Sequence, residues 1–468
     1  MLVTKLKLEK ANNENKLERN HDKMNKRIYG LFTAITMITG VVIGSGIFFK
    51  SDNVLSYTGG SILLGVIVFI VAAIAIVFGC LTISQLAART DKPGGLVSYA
   101  EEFVSMGTSC AFGWFQTFLY LPTLAAVVSW VAGIYISQLF GIPVTLETSV
   151  LIGTLCLTIL FIINIISARL GGNVQNAAMI IKIIPLIIIA VAGLLFGNPG
   201  QVMSEDVKGF VAATTNWGWL AAFAPIAFSF DGWIVATSIC GEIKNSKRNL
   251  PLALTISPMV ILLAYIAYFV GMSSLLGPEE ILKQGDASVY TAANRLFGSF
   301  GAKAILVFVI ISVLGTVNGL VLGSIRMPYS LALRNMIPGS SYLSKENQKL
   351  SGIPLNSAIA AFLLSLGWMV IHYITQKIGM RGDVSEIAIG VSYLNYMLLY
   401  LAVIKLTRKG EIKGIGKGYI IPILAGIGSL VIILGSVTHS LFVYYAGICF
   451  LIMLSGNLYY RKNRHRIN

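Results

Sequence analysis

Charge is scarce in this chain. Only 12% of its 468 residues are Asp, Glu, Lys or Arg, while 56% are hydrophobic, against roughly 25% charged in a soluble domain. That balance excludes a water-soluble fold and defines a polytopic membrane protein. Cysteine is sparse too: Cys80, Cys110, Cys156, Cys240 and Cys449 are widely separated in or beside apolar segments. No paired spacing points to a disulfide framework, a metal or redox chemistry, so they read as free thiols. The four histidines, His21, His372, His439 and His465, are scattered, and no metal site is expected. There is no His-Glu-x-x-His, no pair of intramembrane aspartates and no Ser-His set at one depth. An intramembrane enzyme would therefore have to rest on Asp231 alone. A Gly-rich phosphate loop is missing, which excludes an ATP-driven pump, and no filter repeat or ring of charge supports a channel. No cofactor is implied.

The net charge of +15 does not read as nucleic-acid binding, because the charges sit in short patches between apolar runs. Orientation in a bilayer accounts for them. At about 20 apolar residues per helical span, the runs predict about twelve spans, at 29–56, 61–87, 107–139, 149–168, 175–197, 216–241, 253–277, 302–333, 354–374, 384–405, 419–438 and 440–460. An even count places both termini on one side. That side collects 27 Lys and Arg residues. The opposite side has 7 (Lys50, Lys208, Lys283, Arg295, Lys303, Lys377 and Arg381), and Lys182 falls within a span. The positive-inside rule then makes both termini cytoplasmic. Residues 1–28, rich in Lys, Asn and Glu, read as a disordered cytoplasmic tail without a cleavable signal, and 461–468 as a second tail.

The first span carries Gly44-Ser45-Gly46 at the centre of an apolar stretch from Val41 to Phe49. Each glycine costs a helix roughly 1 kcal/mol relative to alanine, and lipid requires the backbone to satisfy itself. Such a break has a use if the helix unwinds at mid-membrane. The second half-helix then begins with unsatisfied N–H groups and the positive end of its dipole, a place for a carboxylate. The alternative is a small-residue packing face. A second break is expected in the sixth span, at Pro225-Ile226-Ala227-Phe228-Ser229-Phe230-Asp231-Gly232-Trp233. Asp231 is the only carboxylate expected deep in any span. It is either functional or a structural partner, of Lys182 for example. Breaks in spans one and six, five apart, are what a five-plus-five inverted repeat produces. The repeats would be 29–197 and 216–405, with 419–460 supplying two further spans.

Lys182, in Ile180-Ile181-Lys182-Ile183-Ile184-Pro185, would cost about 3 kcal/mol facing lipid. Burial in the bundle is favoured over snorkelling to the nearby surface. Leu96 to Ser105 reads as a short surface helix, either a connector or a gate. Gly315, Gly319 and Gly323 recur every fourth residue beside Ser312 and Thr316, a stripe for close helix packing.

Four motifs in this order resemble the L-type amino acid transporters of the amino acid–polyamine–organocation superfamily, in particular bacterial serine/threonine and alanine-serine-cysteine exchangers. They are Ile43-Gly44-Ser45-Gly46-Ile47-Phe48, the stretch from Asn173-Val174-Gln175 to Lys182-Ile183-Ile184-Pro185, Phe228-Ser229-Phe230-Asp231-Gly232-Trp233, and Gly241-Glu242-Ile243-Lys244-Asn245-Ser246-Lys247-Arg248-Asn249-Leu250-Pro251. The resemblance covers about residues 28 to 460. It implies inverted repeats, alternating access, and exchange of small or medium neutral L-amino acids across the cell membrane. It also implies that the substrate carboxylate meets N–H groups around Gly44, Ser45 and Gly46, next to Ile47. The α-ammonium would meet carbonyls of Ile43 and of Phe228, Ser229, Phe230 and Asp231, beside Gly232. Phe228 matches an aromatic gate. Lys182 matches a lysine standing where sodium-driven relatives hold their ion, which implies sodium independence. Animal members carry a cysteine in the loop between spans three and four that bonds a glycoprotein partner. Phe140–Thr148 has none, so no disulfide-linked heavy subunit is expected. Asp231 falls where relatives vary between Gly and an acid, which leaves its role open between capping the broken helix and holding the substrate ammonium; reading a cationic side chain would make a lysine, arginine or polyamine carrier, and a proton-coupled symporter is a further alternative.

Overall fold

Apolar side chains that no neighbour covers mark the outer face of the molecule. Leu151, Leu155, Ile159, Ile162 and Ile166 recur at helical spacing along one helix and are 46 to 71% exposed, a stripe that only lipid can cover. The computed structural model describes residues 30–44, 46–90, 95–166, 181–233, 243–347, 354–380, 383–437 and 442–467. Ser45, the 1–28 tail, Asn173 to Gln175, Gly241-Glu242 and Cys240 lie outside the described residues.

The chain is helical. The elements that matter are α1 (Leu31–Val42), α2 (Gly46–Tyr57), α3 (Ile62–Ala87), α4 (Leu96–Phe103), α5 (Met106–Phe140), α6 (Leu146–Ile166), α7 (Ile183–Phe196), α8 (Trp217–Ser229), α9 (Ser246–Leu276), α10 (Ser288–Leu333), α11 (Leu355–Lys377), α12 (Val384–Arg408), α13 (Gly416–Val437) and α14 (Phe442–Asn463). Among the described residues nine helices are long and apolar enough to cross a membrane, or ten if Ile183–Phe196 and Pro199–Glu205, bent by 76°, count as one span. The expected spans 29–56 and 216–241 appear instead as the shorter pieces α1, α2 and α8, each too short to cross alone.

Local chemistry sets the ends. Ser61 caps α3 by accepting from the Leu64 N–H at 3.2 Å, and Ser105 does the same for α5 through Thr108 at 3.1 Å. Gly141, at φ 68°, closes α5 in the left-handed conformation. Small residues then let helices meet backbone to backbone. A Cβ on Gly133 of α5 would lie 1.9 Å from the Ser149 carbonyl oxygen of α6, so any side chain there separates the pair. α4 is a packed element rather than a surface-lying one, since Leu96, Val97, Ser98, Tyr99 and Ala100 are all buried. It is tied to α10 by Arg334, whose guanidinium pairs with Glu101 at 3.3 Å.

Candidate functional site

The site begins where α1 stops. Ile43 is extended (φ −66°, ψ 104°), with its N–H on the Thr39 carbonyl, and helix resumes at Gly46. The first N–H groups of α2 have no partner within that helix. α8 stops in the same manner: Phe230 takes φ −93°, ψ 0°, Asp231 and Gly232 form a turn, and Gly232 sits at φ 97°, a conformation costly for any residue with a Cβ.

The two interruptions touch. A Cβ added to Gly46 would lie 2.8 Å from Ser229 Cα and 3.2 Å from Phe228 Cδ1. One added to Gly44 would lie 2.7 Å from Thr316 Oγ1 on α10. The glycines are therefore needed for approach as well as for bending. Tyr265 of α9 holds both ends, its hydroxyl donating to the Ser229 carbonyl at 2.8 Å and lying 3.4 Å from the Val42 carbonyl. Ser229 turns its own hydroxyl back to the Pro225 carbonyl at 3.0 Å. Ile43, Ile47 and Phe228 are buried around this junction.

Asp231 accepts a hydrogen bond from the Tyr120 hydroxyl. Tyr120 ends a π-helical turn, Gln116–Tyr120, within α5. Such turns widen the helix and release a carbonyl, and Trp368 Nε1 donates to Phe118 O there at 2.8 Å.

Sequence reading counted Lys50 among the charges on the side away from the termini and made Asp231 the only carboxylate deep in a span, and it did not foresee that Lys50 and two carboxylates are buried together. Lys50 is 1% exposed, and its Nζ lies 2.6 Å from Asp383 Oδ2 and pairs with Glu386, themselves 7% and 1% exposed. The Lys50 ammonium also sits 5.0 Å from the centre of the Phe228 ring, a cation–π contact. Asp383 simultaneously caps α12, its Oδ1 accepting from the Ser385 N–H at 2.9 Å. One lysine thus ties α2, α8 and α12 together just beyond the junction. Its partners lie more than 330 residues away, so no local pattern announces the pair. Tyr265 and Thr316 were missed as well, since each looks like ordinary core or packing surface in an apolar run.

Lys182, at the start of α7, is 2% exposed, so its side chain is buried rather than snorkelling. Among the described residues no contact between it and the junction or Asp231 is seen. Of the expected residues, Gly46, Phe228 and Ser229 come together, Gly44 lies against Thr316, and Ile43, Ile47, Phe230, Asp231 and Gly232 are on the same two segments. Among the described residues no group of His, Cys, Asp or Glu could hold a metal.

The junction of α1, α2 and α8 sits in a bundle of helices long and apolar enough to cross a membrane, as a multi-pass membrane protein has. Residues 29–466 match the amino acid permease family, and the chain belongs to it. It is similar to the serine/threonine exchanger SteT of Bacillus subtilis (strain 168), with 31% identity over 454 residues, 94% of this chain and 98% of that protein. The b(0,+)-type amino acid transporter 1 of Mus musculus is 27% identical over 440 residues, covering 92% of this chain and 86% of its own. For the human Asc-type amino acid transporter 1 the values are 29% over 383 residues, 80% and 69%.

Proposed function

We propose that this protein is a sodium-independent exchanger of small or medium neutral L-amino acids, working by alternating access in the cell membrane. Its about twelve spans would form two inverted repeats, 29–197 and 216–405, with 419–460 added and both termini cytoplasmic. The observation that carries the reading is the contact of Gly46 with Phe228 and Ser229. It puts an N-terminal half-helix end beside a C-terminal one, so a zwitterion meets N–H groups at one pole and carbonyls at the other. The carboxylate is assigned to the backbone at Gly44, Ser45 and Gly46, and the ammonium to Ile43 and Phe228 to Asp231. The similarity to a serine/threonine exchanger and an Asc-type transporter favours small side chains, as does Thr316, whose hydroxyl crowds Gly44.

The Lys50–Asp383–Glu386 cluster serves as the closure on one side of the site, because α2 cannot swing from α8 and α12 without separating buried charges. Lys182 supplies a fixed cation where a driving ion would otherwise sit. No disulfide-linked heavy subunit is assigned, since Phe140–Thr148 carries no cysteine.

A cationic substrate is the second reading, favoured by one observation: a half-buried carboxylate, Asp231, at the second break. Its oxygen already accepts from Tyr120, which ranks this reading below the first. Proteoliposomes loaded with serine or alanine should take up labelled serine with no sodium gradient. Absence of exchange across all twenty amino acids, or strict sodium dependence, overturns the proposal. Competition by arginine but not by serine selects the second reading.

A further inference from the structure

A cavity of about 630 Å³ opens at the end of the bundle where α3 finishes and α9 and α13 begin. Its lining includes Arg89, Arg248 and Lys417 together with Ser84 and Gln85, and no carboxylate. None of the three cations makes an ion pair among the described residues. Arg89 is held in place by backbone alone, donating from Nη1 to the Gln85 carbonyl at 2.6 Å and from Nη2 to the Glu411 carbonyl at 3.1 Å. That leaves the remaining guanidinium N–H groups for a ligand. Two helices also start here without a side-chain cap: α9 after Asn245, and the π-helical turn Gly416–Ile420 that opens α13. Both direct positive dipole ends toward the same region. All three cations are exposed, and with no carboxylate in the lining among the described residues their combined charge favours an anion.

The flanks identify that anion. Leu252 and Ile256 on α9 are 38% and 37% exposed, and Ile420, Ile423 and Ile427 on α13 are 51 to 53% exposed. These apolar rows run along the two helices that carry Arg248 and Lys417. A water-soluble phosphate would use the cations and ignore the rows, whereas a diacyl lipid uses both.

We propose that this cavity holds the phosphate of an anionic phospholipid whose acyl chains lie on the exposed faces of α9 and α13. Arg89, Arg248 and Lys417 bind the headgroup, and the lipid braces α3, α9 and α13 at their shared end. The interaction is independent of which amino acid the protein carries.

The test is the thermal midpoint of the purified full-length protein in detergent, titrated with phosphatidylglycerol, phosphatidylcholine or inorganic phosphate. Phosphatidylglycerol should raise the midpoint, and the other two should leave it in place. In Lys417→Gln the phosphatidylglycerol needed for half the shift should rise roughly fivefold, and in Arg248→Gln/Lys417→Gln by about the square of that, from the usual worth of one basic residue near an anionic surface. A control with the same charge loss elsewhere, Lys405→Gln/Lys409→Gln, should respond as wild type. The proposal is overturned if phosphatidylcholine stabilises equally, if inorganic phosphate reproduces the shift, or if the control loses the response as the lining variants do. Should the double variant fail to fold, the single Lys417→Gln titration decides.

Discussion

Lys50 and Asp383 stand 333 residues apart in sequence and 2.6 Å apart in space, in a part of the molecule closed to solvent. Breaking a buried pair by removing one member costs about 3–5 kcal/mol, because the other charge is left without compensation. Lys50→Met should therefore lower the thermal midpoint and abolish exchange, while a charge-conserving Lys50→Arg keeps part of both. Uptake and midpoint measured side by side check this. Normal uptake by Lys50→Met would remove the cluster from the transport cycle.

Tyr265 reaches both helix ends, its hydroxyl lying against the Val42 and Ser229 carbonyls. Tyr265→Phe keeps the packing and deletes the hydroxyl, at about 1 kcal/mol for a hydrogen bond of this kind, or roughly fivefold. The apparent affinity for serine should weaken by that factor with protein yield unchanged. Equal affinity in the two proteins would mean the junction is held by packing alone.

Gly44 and Gly46 face obstacles of different kinds. At Gly44 the obstacle is a side-chain oxygen of Thr316, and at Gly46 it is the backbone of Ser229. Gly44→Ala should lose transport and regain part of it in Gly44→Ala/Thr316→Ala. Gly46→Ala should lose it with no rescue from Ser229→Ala, since forcing atoms into a packed junction costs about 1–3 kcal/mol and the clash is with Cα. Radiolabelled exchange in the four variants tests the pair. Rescue at Gly46 would place Ser229 elsewhere.

Lys182→Ala should insert and remain monodisperse yet lose most exchange, because it removes the buried cation proposed to stand in place of a driving ion. Wild-type turnover in this variant would assign Lys182 to structure.

Much of the fold could be read from hydrophobic run length, which locates α3, α5, α6 and α11 to α14 to within about three residues, whereas α9 begins at Ser246 and α10 at Ser288, bent at Gly298, well ahead of the expected starts at 253 and 302. The helix ends were legible because Gly-Ser-Gly and Asp-Gly disfavour continued helix, and the chain leaves helix at Ile43 and after Ser229; residues 234–242, where the expected sixth span would resume, lie outside the described residues. The ion cluster was not legible. Lys50 is followed by Ser51, Asp52 and Asn53, the composition of a loop, and only tertiary contact reveals that its ammonium has buried partners. Asp383 and Glu386 likewise fell at the edge of an expected span, where acids are common. The π-helical turn carries no sequence mark either, because Gln116 to Tyr120 reads as regular apolar helix.

The two oxygens of Asp383 divide their duties, Oδ1 serving the Ser385 amide and Oδ2 the Lys50 ammonium. Withdrawal of α2 therefore strips a counter-charge from the very group that starts α12, and the leading turn of that helix inherits the disturbance. Under the closure proposed above, opening on that side draws on the stability of a distant helix terminus, so strengthening this terminus by substitution should slow the carrier even though nothing at the substrate pocket has changed.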